Sequence, residues 1–261
     1  LARFYREAEL CRQLDHPNVV RVFASGDFGG NPFLAMELLD GRSLADVLRG
    51  PRLPPQQAVA LVIALLEALS HVHAHRIVHR DIKPANMIMR DDGRLTLVDF
   101  GIAHLGGSDI TQLGDMLGSP AYMSPEQLSG RAVDARADLF AAGVVLYALI
   151  TRQRPFTGTV ASVMQAILHE APLPPSHHLP ELPAAVDTVM ARALAKEPDA
   201  RFQSAAEFAS ALRALLPQLE ATSSPAARPT ATEDAAPDPQ ALAALVDQAM
   251  QAALDGVSTL D

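Results

Sequence analysis

Four polar residues close together in the chain, Asp81, Lys83, Asn86 and Asp99, have the types and spacing to handle a phosphoryl group. They stand in residues 77–101, IVHRDIKPANMIMRDDGRLTLVDFG, which reads as two short apolar strands, 87–89 and 95–98, around a turn at Asp91-Asp92-Gly93. Charge set against an apolar hairpin needs a partner or a task. Phosphoryl transfer supplies tasks: metal ions held on phosphates, a hydroxyl nucleophile oriented, and charge on the transferred group offset. Asp81 can accept the hydroxyl proton, Asn86 and Asp99 offer the hard oxygens that Mg²⁺ prefers, and Lys83 can reach the γ-phosphoryl group.

The run His79-Arg80-Asp81-Ile82-Lys83-Pro84-Ala85-Asn86, followed by Asp99-Phe100-Gly101, resembles the protein kinases, whose pattern is H-R-D-x-x-x-x-N and then D-F-G. Either tripeptide alone is frequent by chance; the two in order, with a hairpin between them, are not. Lys83, two residues after the aspartate, narrows the resemblance to serine/threonine kinases. The resemblance implies an α+β, bilobal kinase-like fold with a small β lobe and a mainly helical large lobe. It also implies ATP and Mg²⁺ as cofactors and protein Ser/Thr hydroxyls as acceptors.

Further roles follow from the resemblance. His79 and Phe100, with Gly101 closing the motif, pack behind the catalytic groups and couple them to Glu7, the helix carboxylate that pairs with a strand lysine; Glu9 is the alternative. Met36 lies at the back of the nucleotide pocket, Glu37 to Leu39 form the hinge backbone, and Ile88 lies under the adenine. The segment Gly118-Ser119-Pro120-Ala121-Tyr122-Met123-Ser124-Pro125-Glu126 is similar to the substrate-docking segment of bacterial serine/threonine kinases, with the Ser119 hydroxyl serving Asp81 and Lys83. Asp138 anchors the catalytic loop backbone, and Arg201 forms a buried pair with Glu126. Thr111, with Ser108 as runner-up, is the candidate phosphorylation site whose dianion would pair with Arg80.

Elements to position these groups can be read from periodicity and turn chemistry. Residues 1–14 have helical spacing, with Phe4, Ala8, Cys11 and Leu14 on one face, closed by His16-Pro17-Asn18. Residues 19–24 and 33–39 read as a strand hairpin turning at 29–32. Ser43 caps a short helix to about Arg49, and Pro54-Pro55 opens a long one to about His75. His71, His73 and His75 do not share one helix face, which disfavours a zinc site and predicts surface residues at a helix end. A polar, Gly-punctuated loop spans 102–123. Beyond it, helices are expected over 134–150, 159–170, 184–195 and 204–216, with a Pro-rich stretch at 171–183.

The domain expectation is a kinase domain over 1–216, divided into a partial small lobe at 1–39 and a large lobe at 40–216. An Ala/Pro-rich linker with a possible short helix at 240–254 completes residues 217–261. At 49% hydrophobic and 20% charged, the 261-residue chain has an ordinary soluble composition. Its net charge of −9 argues against a nucleic-acid partner, and the single Cys11 fits a reducing compartment. The longest apolar run, 139–150, is too short to span a membrane. The expected location is therefore cytoplasmic, or the cytoplasmic part of a membrane-anchored kinase if the chain continues into a span.

No glycine-rich phosphate loop and no strand lysine precede the first helix, and the other lysine, Lys196, lies far downstream. The expectation is a serine/threonine protein kinase seen as an N-terminally truncated fragment. A pseudokinase or binding scaffold is the alternative. A small-alcohol phosphotransferase is a third reading, disfavoured by Lys83 and the protein-docking segment.

Overall fold

Helix α3 (Pro55–Ala74) organises the larger part of the molecule, and its sequence says why: Pro55 opens it at the first helical position, and apolar side chains follow on nearly every turn. The computed structural model describes residues 2–99 and 120–223, with the side chains of 2–4, 6, 7, 222 and 223 left aside. Within these, α3 packs against α5 (Ala135–Thr151) and α9 (Ala205–Ser223). By length and composition α3 could cross a membrane, which the expectation for 139–150 overlooked, but most of it is buried in this helical core. Helix α5 is buried all round, starts on an Asp134 side-chain cap and ends at Arg152 in the left-handed region (φ 63°). The Arg152 guanidinium then donates to the carbonyls of Val47 and Gly50. Gly143 lets α5 approach α8 (Ala184–Ala193) closely, since a Cβ there would meet the Ala193 methyl at 3.0 Å.

Helix α6 (Val160–His169) is capped by Thr159, and the Pro-rich stretch holds a short helix, α7 (Pro175–His178), that periodicity did not show. Helix α9 runs through Pro217 to Ser223, seven residues past the expected boundary at Leu216. A late proline removes one helix hydrogen bond, and buried Leu212, Leu215 and Leu219 on either side of it keep the helix docked.

The smaller part begins with α1 (Ala2–Arg12), whose Ala8 and Cys11, with Leu14 just after the helix, are buried as the spacing predicts. Strands β1 (Val22–Phe28) and β2 (Asn31–Met36) form the expected antiparallel hairpin, but both reach closer to the turn than predicted. The turn is only Gly29-Gly30, both at positive φ (61° and 83°), with Asp27 accepting the Gly30 N–H at 2.8 Å. Such two-residue turns match strand twist, so the strands continue right up to them. Phe33 lies across Gly26, and Phe23, Phe28, Phe33 and Leu38 are exposed.

A three-stranded sheet carries the central motif: β3 (Gly41–Ser43), β4 (Met87–Arg90) and β5 (Leu95–Leu97), all antiparallel in that order. Strand β3 was not expected. It precedes helix α2 (Leu44–Val47), which Ser43 and Asp46 start with a reciprocal capping box. Met87, Leu95 and Leu97 face the core, while Ile88 pairs with Ser43 on one side and Thr96 on the other. The stretch before β1 is stitched to β5: Val20 donates to the Leu97 carbonyl (2.9 Å), Leu97 to Asn18 (2.8 Å), and the Asn18 side chain to Leu95 (2.7 Å).

Candidate active site

The loop between α3 and β4 is held in an unusual backbone path. Arg76 and Arg80 both have positive φ (61° and 67°), as does Asp99 (53°) beyond β5. Non-glycine residues in this region are strained, so surrounding bonds must hold them. Asp138, buried on α5, supplies several: one oxygen accepts from the Arg80 N–H at 2.8 Å, the other from the His79 N–H at 2.9 Å and from His73 Nε2 at 2.8 Å. A buried carboxylate is costly alone, and three donors offset that cost here.

His79 is buried beneath the loop. Its Nδ1 accepts from the Asp81 N–H (3.3 Å) and its Nε2 faces the Val98 carbonyl (3.2 Å), which assigns the proton to Nε2. Burial pushes its pKa down against the opposing pull of Asp138, so the ring is neutral in this role. Val98 also donates to the Asn86 carbonyl at 2.9 Å. The residue just before Asp99 is thus bonded to both ends of the His79 to Asn86 loop. This is how a motif split by a hairpin in sequence is joined in space.

At the centre, Asp81 Oδ2 accepts from Lys83 Nζ (2.7 Å) and from Asn86 Nδ2 (2.8 Å), and Asn86 Nδ2 also meets the Asp81 carbonyl (2.9 Å). Both side-chain donors thus meet on one oxygen of the carboxylate. The buried Asn86 side chain turns its amide nitrogen to Asp81, and Asp99 is exposed. An amide oxygen and a carboxylate are the hard oxygen donors that a divalent cation such as Mg²⁺ would take from Asn86 and Asp99. Among the described residues no cluster of three or more His, Cys, Asp or Glu could hold an ion unaided.

Met36 and Leu39 pack partly buried against the core. The Glu37 N–H donates to the Arg21 carbonyl (2.8 Å) and its carboxylate meets Arg90 at 3.1 Å. Ile88 is half-exposed on the sheet face opposite Met87. Glu126 and Arg201 meet through two hydrogen bonds of 2.7 and 2.8 Å with side chains 3% and 0% exposed. Phe100, Gly101, Ser108, Thr111 and Ser119 lie outside the described residues, as does the Glu7 side chain.

Two site residues escaped the sequence reading. His73, expected with His71 and His75 as a surface residue, is half-buried and bonded to Asp138, whereas the His71 and His75 rings meet each other at a tilt, centroids 4.6 Å apart. The odd spacing that set His73 apart was the signal that it faces another way. Gln127, after Glu126, donates from Nε2 to the Arg80 carbonyl at 2.9 Å.

A carboxylate that holds a lysine and an asparagine amide, on an α+β frame with a small sheet and a mostly helical remainder, points to the protein kinase class. Residues 2–233 match the protein kinase domain family, and the chain belongs to it. It is 42% identical over 223 residues to the serine/threonine-protein kinase PknJ of Mycobacterium tuberculosis, covering 82% of this chain and 38% of that protein. Against a probable serine/threonine-protein kinase of Streptomyces coelicolor the identity is 40% over 216 residues (79% and 32%), and against PknB of Mycobacterium leprae 39% over 215 residues (79% and 34%). The chain spans about a third of the length of these curated relatives.

Proposed function

We propose that this chain carries the catalytic domain of an ATP-dependent protein serine/threonine kinase, with Asp81 as the base and Ser or Thr hydroxyls of proteins as acceptors. The observation that carries the reading is the Asp81 carboxylate, with one oxygen held by Lys83 and Asn86 and the other left to receive a proton. Serine/threonine kinases among the relatives support the acceptor class.

In this mechanism Asp81 Oδ1 accepts the acceptor hydroxyl's hydrogen bond and aims its oxygen, taking the proton as transfer proceeds. Lys83, already 2.7 Å from Asp81, lies where it can steady negative charge on the transferred group. Asn86 and Asp99 would hold Mg²⁺, which would supply positive charge to offset that of the ATP phosphates. Ile88 and Met36 would flank the base, and Glu37 to Leu39 would offer backbone to its edge. The anchoring by Asp138, His79 and His73 keeps these groups in register before substrate arrives, so little reorganisation remains for the transfer step. We place the domain's end beyond Leu216, since α9 continues to Ser223 and the family match to residue 233. A cytoplasmic setting suits its need for ATP and the buried Cys11 thiol.

Asp81→Asn in the complete gene product should lower phosphoryl transfer by about a hundredfold or more, the usual range for a general base. Nucleotide affinity, read by fluorescent-analogue titration, should stay within about twofold, since Asp81 does not contact the nucleotide in this reading. Retained transfer would remove Asp81 from the role.

A further inference from the structure

We propose that Gln127 is a positioning residue for Asp81, acting through the peptide bond that joins Arg80 to Asp81. This rests on the reading of Asp81 as the base. That peptide is gripped at both polar atoms: its carbonyl, on Arg80, accepts from Gln127 Nε2 at 2.9 Å, and its N–H, on Asp81, donates to His79 Nδ1 at 3.3 Å. The plane of this peptide sets the direction in which the Asp81 side chain leaves the backbone. Arg80 sits at φ 67°, a conformation strained for a residue other than glycine and not kept without restraint. Asp138 restrains the N-terminal side of Arg80, and Gln127 restrains the C-terminal side, the one that faces Asp81.

The Gln127 amide cannot turn to do anything else. It sits on the short helix α4 (Pro125–Leu128), where its Oε1 accepts from the Ser124 N–H (2.9 Å) and from the Ser124 hydroxyl (3.1 Å), completing a capping box around a fully buried serine. With Oε1 committed to two donors, Nε2 must present its hydrogens to the Arg80 carbonyl; a flipped amide would set donor against donor and acceptor against acceptor. One side chain therefore closes α4 and aims the catalytic peptide. The sequence context gives this a purpose, because α4 directly follows residues 120–124 at the end of the segment that resembles a protein-docking loop. A shift of that segment would be felt at Asp81 through a single amide.

The two duties separate by mutation. Gln127→Glu keeps an acceptor for Ser124, and so keeps the cap, but has no donor for Arg80 and sets carboxylate against carbonyl. Gln127→Ala loses both. In the complete gene product, Gln127→Glu should lower kcat at least tenfold with the KM for ATP within twofold and the thermal midpoint near wild type. Hydrogen exchange in peptides covering residues 77–86 should quicken while residues 124–128 stay protected. Gln127→Ala should lower kcat similarly and also lower the thermal midpoint. Wild-type kcat in Gln127→Glu, or a loss of kcat with unchanged exchange at 77–86, would overturn the proposal. Asp81→Asn run alongside separates the two ideas. If it stays active, the base assignment fails, while exchange still reports whether Gln127 holds Arg80. If it is inactive and Gln127→Glu is normal, only the present inference fails.

Discussion

Arg201 uses every donor it has. Its five N–H groups reach Glu126 twice, the carbonyls of Ala195 (2.7 Å) and Lys196 (2.8 Å), and that of Arg136 (3.2 Å), while the guanidinium lies 5.0 Å from the centre of the Phe140 ring. Burial pushes the Glu126 carboxyl up, but the hydrogen bonds and charge of Arg201 outweigh it and hold it below its usual range. Its stabilising contribution is therefore present above the unfolded carboxyl's pKa and is lost as pH falls through the folded one. Arg201→Ala should cost about 3 to 5 kcal/mol, because a buried carboxylate is left unpaired. Arg201→Lys should recover only part of this, since an ammonium has three donors for five acceptors. Urea unfolding of both variants checks the order; equal stability of Arg201→Lys and wild type would contradict it. This pair was legible in the sequence because the motifs around Glu126 and Arg201 are distinctive. His73 and Gln127 were not, because their roles depend on a buried partner or a backbone carbonyl that no local spacing reveals.

Among the elements, those specified locally were read well: α3 from its proline start and apolar turns, β4 and β5 from a three-residue turn, α5 from its unbroken apolar run. Strand β3 is three residues long, contains glycine and arginine, and exists only because β4 offers it an edge. No window of its own sequence would call for a strand. What admits it is Gly41, at φ 142°, where a Cβ would fall 2.4 Å from the Met89 carbonyl oxygen and 2.9 Å from the Arg90 Cα. Gly41→Ala must push β3 away from β4, and should cost about 1 to 3 kcal/mol through backbone strain. The effect should be local at first, with faster hydrogen exchange in residues 41–43 and in the Ser43 cap of α2. Unchanged exchange together with an unchanged urea midpoint would show that β3 tolerates the added methyl.

On the scale of the whole domain, the chain's two lysines divide the work of charge. Lys83 is paired with Asp81, whereas Lys196 donates to the carbonyls of Ala166 (3.0 Å) and Ile167 (2.7 Å) near the end of α6 and lies 4.2 Å from the Phe156 ring centre. Burial, then the nearby charge of Arg201, pushes the Lys196 pKa down to about 8, with Glu170 opposing. The unfolded chain, with lysine near its ordinary 10.5, binds this proton more tightly, so this group makes stability rise with pH between about 8 and 10.5. The stability difference between wild type and Lys196→Met, from urea unfolding at several pH values, should grow in favour of wild type across that window. A difference independent of pH would show that Lys196 is not perturbed. The stitching of residues 18–20 to β5 gives the two lobes a mechanical property. Because Asn18 and Val20 are bonded to the same short strand that ends next to Asp99, a tilt of α1 has no slack to take up at that point. The contact acts as a fulcrum between the stretch that follows α1 and the strand that ends two residues before Asp99.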